Sequence, residues 1–294
     1  ARSRNPDTGF VVTANNRITD KDYPYTLGLF YAPEFRARRI FSRLSALSNC
    51  TPGDMQAIHA ERESIPARIL ITALSGFEPE EAPHKDLLSR LLSWNCRMDA
   101  DRIEPTLYSA VRKALNKLVL APLYGPLAQK VFESVKAAEQ RHLGQLSTQL
   151  ILDMASGDTR LLPPGREWHE LVQQAFTEGV ENLQNAFGSD IEAWQWGKVH
   201  FTSPTHPLAG LFPELADSLN PPKVSVSGDG DTPQSAHFGP GFPFVIDSTS
   251  VARYVFDLSD WDMSRWIVPL GSSGHAGSGH YADQSALWSK IESI

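Results

Sequence analysis

An α+β fold, with strands and helices in separate blocks, is predicted from three observations. A short β-branched run near the start ends in an Asn-Asn turn. A long block of helical periodicity follows, and the stretch after Gly188 breaks into short β-rich runs between Gly, Pro, Ser and Asp. Strand, helical block and further strands in series fit a layered α+β fold better than alternating βαβ units.

Taken in order, Gly9-Phe10-Val11-Val12-Thr13-Ala14 reads as a strand, and Asn15-Asn16 as its turn. Thr51-Pro52-Gly53-Asp54 offers a helix start, with Asp54 suited to the positive end of the dipole. Leu87, Leu88, Leu91, Leu92 and Trp94 crowd one helix, and Leu107, Val111, Leu115 and Leu118 space another. After Pro163-Pro164-Gly165, the stripe Trp168, Leu171, Val172, Ala175, Phe176, Val180, Leu183 and Phe187 reads as a core face. The later runs, 199–202, 224–226, 244–246, 252–258 and 266–270, alternate with turns, of which Gly228-Asp229-Gly230-Asp231 and Gly239-Pro240-Gly241 are the clearest. Residues 1–53 thus hold the strand, the turn and an Arg-rich segment, 54–187 are mainly helical, and 188–294 are strand-rich.

Composition narrows the function. The 294 residues carry 27 Lys+Arg against 34 Asp+Glu, a net charge of −7, and 41% are hydrophobic. These proportions exclude a disordered or collagen-like chain. No region concentrates enough Lys and Arg to bind nucleic acid. The nearest approach to a membrane span, Leu118 to Leu127, is short and carries Pro122 and Pro126. The start, Ala1-Arg2-Ser3-Arg4, has basic residues but no apolar stretch behind them, and Ala1 in place of Met predicts a processed or cut start. Cys50 and Cys96 are compatible with one bridge or with two separate thiols.

Local catalytic patterns say little alone. Gly271-Ser272-Ser273-Gly274 lacks the spacing of a nucleophile elbow and reads as a tight turn. Asp229 and Asp231 lack the other ligands of a calcium loop and read as a solvated turn. His200 and His206 flank a predicted strand, and His275 and His280 a Gly-rich loop. A zinc site would need several of these to converge with a carboxylate, and backbone-satisfying roles are the simpler reading.

Four segments, in order, resemble the penicillin acylase (penicillin amidase) family of N-terminal nucleophile hydrolases. The first is Asn5-Pro6-Asp7-Thr8-Gly9-Phe10-Val11-Val12-Thr13-Ala14-Asn15-Asn16. The second is Tyr23-Pro24 with Phe35-Arg36-Ala37-Arg38-Arg39-Ile40. The third is Trp194-Gln195-Trp196-Gly197-Lys198-Val199-His200 with His206-Pro207-Leu208. The fourth is Leu270-Gly271-Ser272-Ser273-Gly274 through Ser278-Gly279-His280-Tyr281-Ala282-Asp283-Gln284, then Trp288. Together they cover nearly the whole chain, although residues 80–165 carry none.

The resemblance implies a part of the family's four-layer αββα fold, namely the C-terminal portion of its catalytic chain. It implies cleavage of the amide of a small N-acyl compound: a β-lactam side chain, an acyl-homoserine lactone or a similar acylated amine. In the family an N-terminal Ser attacks the carbonyl and its own α-amino group is the base. The amide of the first Asn in the Asn-Asn turn, here Asn15, donates to the oxyanion. The family's orienting Arg matches Arg36 best, with Arg38 as the other candidate. Ala1 is not a nucleophile, so the resemblance implies that the Ser comes from another polypeptide of the same precursor: partners are the alpha chain and the nucleophile-bearing part of the beta chain. Export to the periplasm or medium follows by the same analogy.

The chain departs from the family at three further points. Ser272 stands where Gln is usual. Tyr25-Thr26-Leu27-Gly28 replaces the segment that brings a calcium-ligating Asp, so a structural calcium is not implied through it, and catalysis needs no cofactor. Asp229 or Asp231 stands as a possible match for the acidic residue that orients a His in some members. These departures motivate the alternative of a catalytically silent, acylase-like binding or structural subunit.

Overall fold

The computed structural model describes residues 4–20, 22–132, 137–239 and 242–292; Ala1 and the predicted break at Pro240-Gly241 lie outside the described residues. The chain divides into two units, one of residues 64–201 with 238–247, the other of 1–63, 202–237 and 248–294.

The first unit is the helical block. Its long helices are preceded in the chain by α1 (Phe35–Ser45) and α2 (Pro52–His59), which belong to the other unit. They are α3 (Ile65–Ala73), α4 (Ala82–Ser93), α5 (Glu104–Tyr124), α6 (Ala128–Phe132), α7 (Ala137–Ser156) and α8 (Trp168–Phe187). The predicted stripe of α8 is its core face: Leu171, Val172, Ala175, Phe176, Val180 and Leu183 are buried, against Leu107, Val111 and Leu115 of α5. Gly179 sets the approach. A Cβ there would lie 2.9 Å from the Val111 backbone nitrogen, so only glycine lets the two helix backbones come so close. In α4, Leu87, Leu88 and Leu91 point inward, whereas Leu92 is exposed. None of the described helices is long and apolar enough to cross a membrane.

The third resemblance segment closes this unit. Trp196 and His200 are buried and stack at 4.2 Å, with Phe238 and Phe244 around them. The His200 Nδ1 lies 3.0 Å from the Phe244 carbonyl, the backbone-satisfying role expected of a core histidine.

In the other unit, Thr51 caps α2 as predicted. Its hydroxyl accepts from the Asp54 N–H at 3.2 Å, and the Asp54 carboxylate accepts from the Thr51 N–H at 2.8 Å. The Thr51 hydroxyl and the Thr51 N–H both donate to the Asp54 carboxylate, which lowers the Asp54 pKa. The strands, some with residues in both units, are short: β1 (Phe201–Thr202), β2 (Val224–Ser225), β3 (Ala236–Phe238), β4 (Ile246–Thr249), β5 (Arg253–Val255) and β6 (Arg265–Ile267). β1 to β4 form a sheet of order β2-β1-β4-β3. β5 and β6 pair antiparallel, with Arg253 opposite Ile267 and Val255 opposite Arg265.

Mixed helix and strand is the class predicted, with corrections. Residues 9–14 are not a strand, and the strands therefore do not sit at both ends of the chain but begin at Phe201. A β-branched run becomes a strand only when a neighbour supplies its ladder, and no such ladder forms here among the described residues. Val199 closes a helical turn, Phe244 precedes rather than opens β4, and β3 lacked a β-branched run to announce it. Cys50 and Cys96 do not form the bridge, the first being exposed and the second buried.

The fourth resemblance segment holds the end of the chain. The Gln284 side-chain oxygen accepts from the Val268 N–H at 3.0 Å, the Gln284 N–H donates to the Leu270 carbonyl, and Trp288 is fully buried. A Cβ at Gly271 would stand 2.2 Å from the His280 carbonyl, so this backbone packs closely, but Gly271-Ser272-Ser273-Gly274 only bends at Ser272 and is not the tight turn expected.

Candidate active site

Asn15 takes a left-handed backbone, φ +63°, which its short polar side chain tolerates. Two bonds hold the turn. The Ala14 N–H donates to the Asn16 side-chain oxygen at 3.1 Å, and the Asn15 carbonyl accepts from the Ala32 N–H at 2.8 Å. The second ties the turn to the segment entering α1. There Arg36, one residue into the helix, donates from Nη2 to the Asn15 Oδ1 at 3.0 Å. Arg38 is exposed on the same helix, so of the two candidates it is Arg36 that meets Asn15.

This bond orients the amide. A guanidinium has donors and no acceptor, so the atom facing it must be oxygen, and the Asn15 NH₂ is turned away to donate elsewhere. Charge on the oxygen side also polarises the amide toward a stronger N–H donor.

Arg36, Arg39 and Arg43 fall three and four residues apart and share one face of α1. Each faces acid. Arg39 contacts Glu61 at 3.2 Å and Glu63 at 2.8 Å, and Arg43 contacts Glu61 at 3.5 Å. Burial lowers the Arg36 pKa, while the charge of Asp231 works in the opposite sense. Glu61 is 4% exposed. Burial raises its pKa, but the Glu63 N–H with Arg39 and Arg43 outweighs this, and the net shift is downward.

Asp231 lies in the Gly228–Asp231 turn, which is buried rather than solvated, a second correction. Asp229, Asp231, Thr232 and Gln234 are all buried. The Asp229 Oδ1 accepts from the Asp231 N–H at 2.8 Å, and the Thr232 hydroxyl accepts from the Asp229 N–H at 2.9 Å. The Glu61 carbonyl accepts from the Gln234 N–H at 2.8 Å, so one residue ties both α1 and this loop. Gly228 has φ +88°, and a Cβ on it would come within 2.0 Å of the Gln234 carbonyl. The pattern Gly-Asp-Gly-Asp looked like a surface turn because turn chemistry and burial are independent. The dense Gly and Thr spacing was the signal that the backbone packs closely there.

The remaining candidates stay apart from this cluster of bonds. The His206 Nδ1 accepts from the Leu208 N–H at 3.1 Å as a helix cap. The His280 Nδ1 lies 2.8 Å from the Asp283 carboxylate on an exposed loop, and the Ser273 hydroxyl accepts from the His275 N–H at 3.2 Å. Among the described residues no three His, Cys, Asp or Glu side chains converge as a metal site.

Fold and site together define an α+β chain whose Asn-Asn turn, Arg-rich helix and buried acidic loop meet in one polar cluster. The chain belongs to the penicillin amidase family, whose profile matches residues 1–294. It is 35% identical over 291 residues to the penicillin acylase 2 proenzyme of Pseudomonas sp. strain SE83, covering 97% of this chain and 36% of that protein. The acyl-homoserine lactone acylases QuiP of Pseudomonas fluorescens strain Pf-5 and Pseudomonas aeruginosa strain PAO1 are 23% and 24% identical, each over 98% of this chain and 37% of the relative. The chain thus spans little more than a third of the length of these curated relatives.

Proposed function

We propose that this chain is the oxyanion-stabilising part of an N-acyl amide hydrolase. The observation that carries this is the Arg36 bond to the Asn15 Oδ1, which directs the Asn15 NH₂ outward as a donor. A serine at the N-terminus of another part of the same precursor attacks the acyl carbonyl. Its α-amino group, with a pKa of ~7.7–8, takes the hydroxyl proton and passes it to the leaving amine. The Asn15 N–H donates to the oxyanion, and water then releases the acyl group and restores the serine. Arg36 holds the donor in place, and Asp231 offsets the cost of burying the guanidinium.

The four-layer αββα fold would form when that polypeptide is present. Val11, Ile18, Tyr25, Leu27, Leu29 and Phe30, on either side of Asn15 in sequence, expose apolar surface for it. The relatives' names, penicillin acylase and acyl-homoserine lactone acylase, support penicillins or acyl-homoserine lactones as the substrate class, and a periplasmic or secreted setting fits such substrates.

Asn15→Ala in the processed enzyme tests this. Loss of one oxyanion donor lowers kcat by ~10²–10³ with KM little changed. Equal turnover of an N-acyl substrate by wild type and variant would refute the role. No turnover by the wild type on either substrate class would favour the silent subunit.

A further inference from the structure

Outside that cluster, α2 faces the inner side of the β5–β6 pair across a small space. Strand alternation puts Arg253 of β5 and Arg265 of β6 on this side, and Gln56 and His59 of α2, three residues apart, face them. The cavity, partly open to solvent, is about 10 Å³, room for a single particle the size of water.

Arg253 is the unusual member. It is 5% exposed. Its Nη1 donates to the Trp288 carbonyl, and its guanidinium carbon lies 4.2 Å from the centre of the Trp288 ring. Its Nη2 is buried with no hydrogen-bond partner among the described residues. Arg265 reaches the Gln56 side-chain oxygen at 3.4 Å, and the Gln56 amide donates to the Ile291 carbonyl at 2.6 Å. No carboxylate lines the cavity among the described residues. A buried cation with a free donor and no counter-charge is costly, and a lone water would supply an acceptor but no charge. Burial also holds the Arg253 pKa down at about 10, and His59 is shifted down by burial and by Arg253.

We infer that the space between α2 and the β5–β6 pair is a site for one small monovalent anion of halide size, chloride in ordinary salt, accepting from the Arg253 Nη2 with Arg265 as second cation. The small volume favours a monatomic anion over carboxylates, phosphate and sulfate. The anion ties the C-terminal strand pair to α2.

The test uses the intact processed enzyme at constant ionic strength, with sodium gluconate exchanged stepwise for sodium chloride or bromide. Tm rises and saturates with either halide, and crystals soaked in bromide show an anomalous peak within hydrogen-bond distance of the Arg253 Nη2. Arg253→Met abolishes the saturable rise. If that variant does not fold, Arg265→Gln decides, by shifting the halide midpoint several-fold upward. A Tm that ignores the identity of the anion, a water or a protein carboxylate in the cavity of the soaked crystal, or an unchanged halide response in the variants overturns the inference.

Discussion

The helical unit and the unit that holds Asn15 are built by opposite means. In the first, α5 and α8 pack through Leu107, Val111, Leu115, Leu171, Phe176 and Val180, all without solvent exposure, around a glycine contact that admits no methyl group. In the second, the elements around Asn15 are joined by polar bonds. Arg36 meets the Asn15 oxygen, and Glu61 meets Arg39, Arg43 and the loop of Asp229 to Gln234. Apolar side chains near Asn15 face outward, Phe30 at 76% exposure. Under the proposed function, the difference bears on where chemistry would be carried. Close packing buries apolar area without direction, whereas directed bonds aim single groups, which a reaction needs.

Three substitutions would sharpen or break this division. The largest effect is expected from Glu61→Gln. Removing one partner of a buried ion pair costs about 3–5 kcal/mol, and with Arg43 half exposed the low end, about 3, applies. Activity should fall with stability, because α1 and the acidic loop both hang on this residue. Its folded pKa lies below the unfolded value of ~4.3, so its contribution is full above that value and is lost as pH falls through the folded pKa. Chemical denaturation should therefore show the gap between wild type and variant closing below about pH 4. A gap independent of pH would mean that the charge is not what matters.

A smaller effect is expected from Gly179→Ala. Overpacking against the Val111 backbone costs about 1–3 kcal/mol, partly offset by up to about 1 from better helix propensity, leaving roughly 1–2. Here Tm should fall while kcat per folded molecule stays at the wild-type level. A matching fall in kcat would break the division between the two regions. The smallest effect is expected from Thr51→Ala, which removes the α2 cap at a cost of about 0.5–1 kcal/mol without touching turnover.

The legible parts were those governed by local rules. The α8 stripe was readable because apolar side chains at helical spacing must share one face, and the Thr51–Asp54 cap because its partners are three residues apart. The run at 9–14 was misread because β propensity describes a residue's fit to a sheet and cannot supply the neighbouring strand. The loop at Asp229–Asp231 was misread because its burial depends on Glu61 and Arg36, far away in sequence.

By itself, then, the sequence determined the α+β class, the core face of α8 and the four ordered segments that led to Asn15 and to Arg36 or Arg38. Each follows from spacing or residue type within a few positions. Only the tertiary structure shows which arginine meets Asn15, since a hydrogen bond across 21 positions depends on how the turn and α1 meet. It alone buried Asp231, and it alone buried Arg253 with no carboxylate lining its cavity among the described residues. Burial and long-range pairing are properties of the assembled chain, because they depend on which distant segments exclude water from the same place.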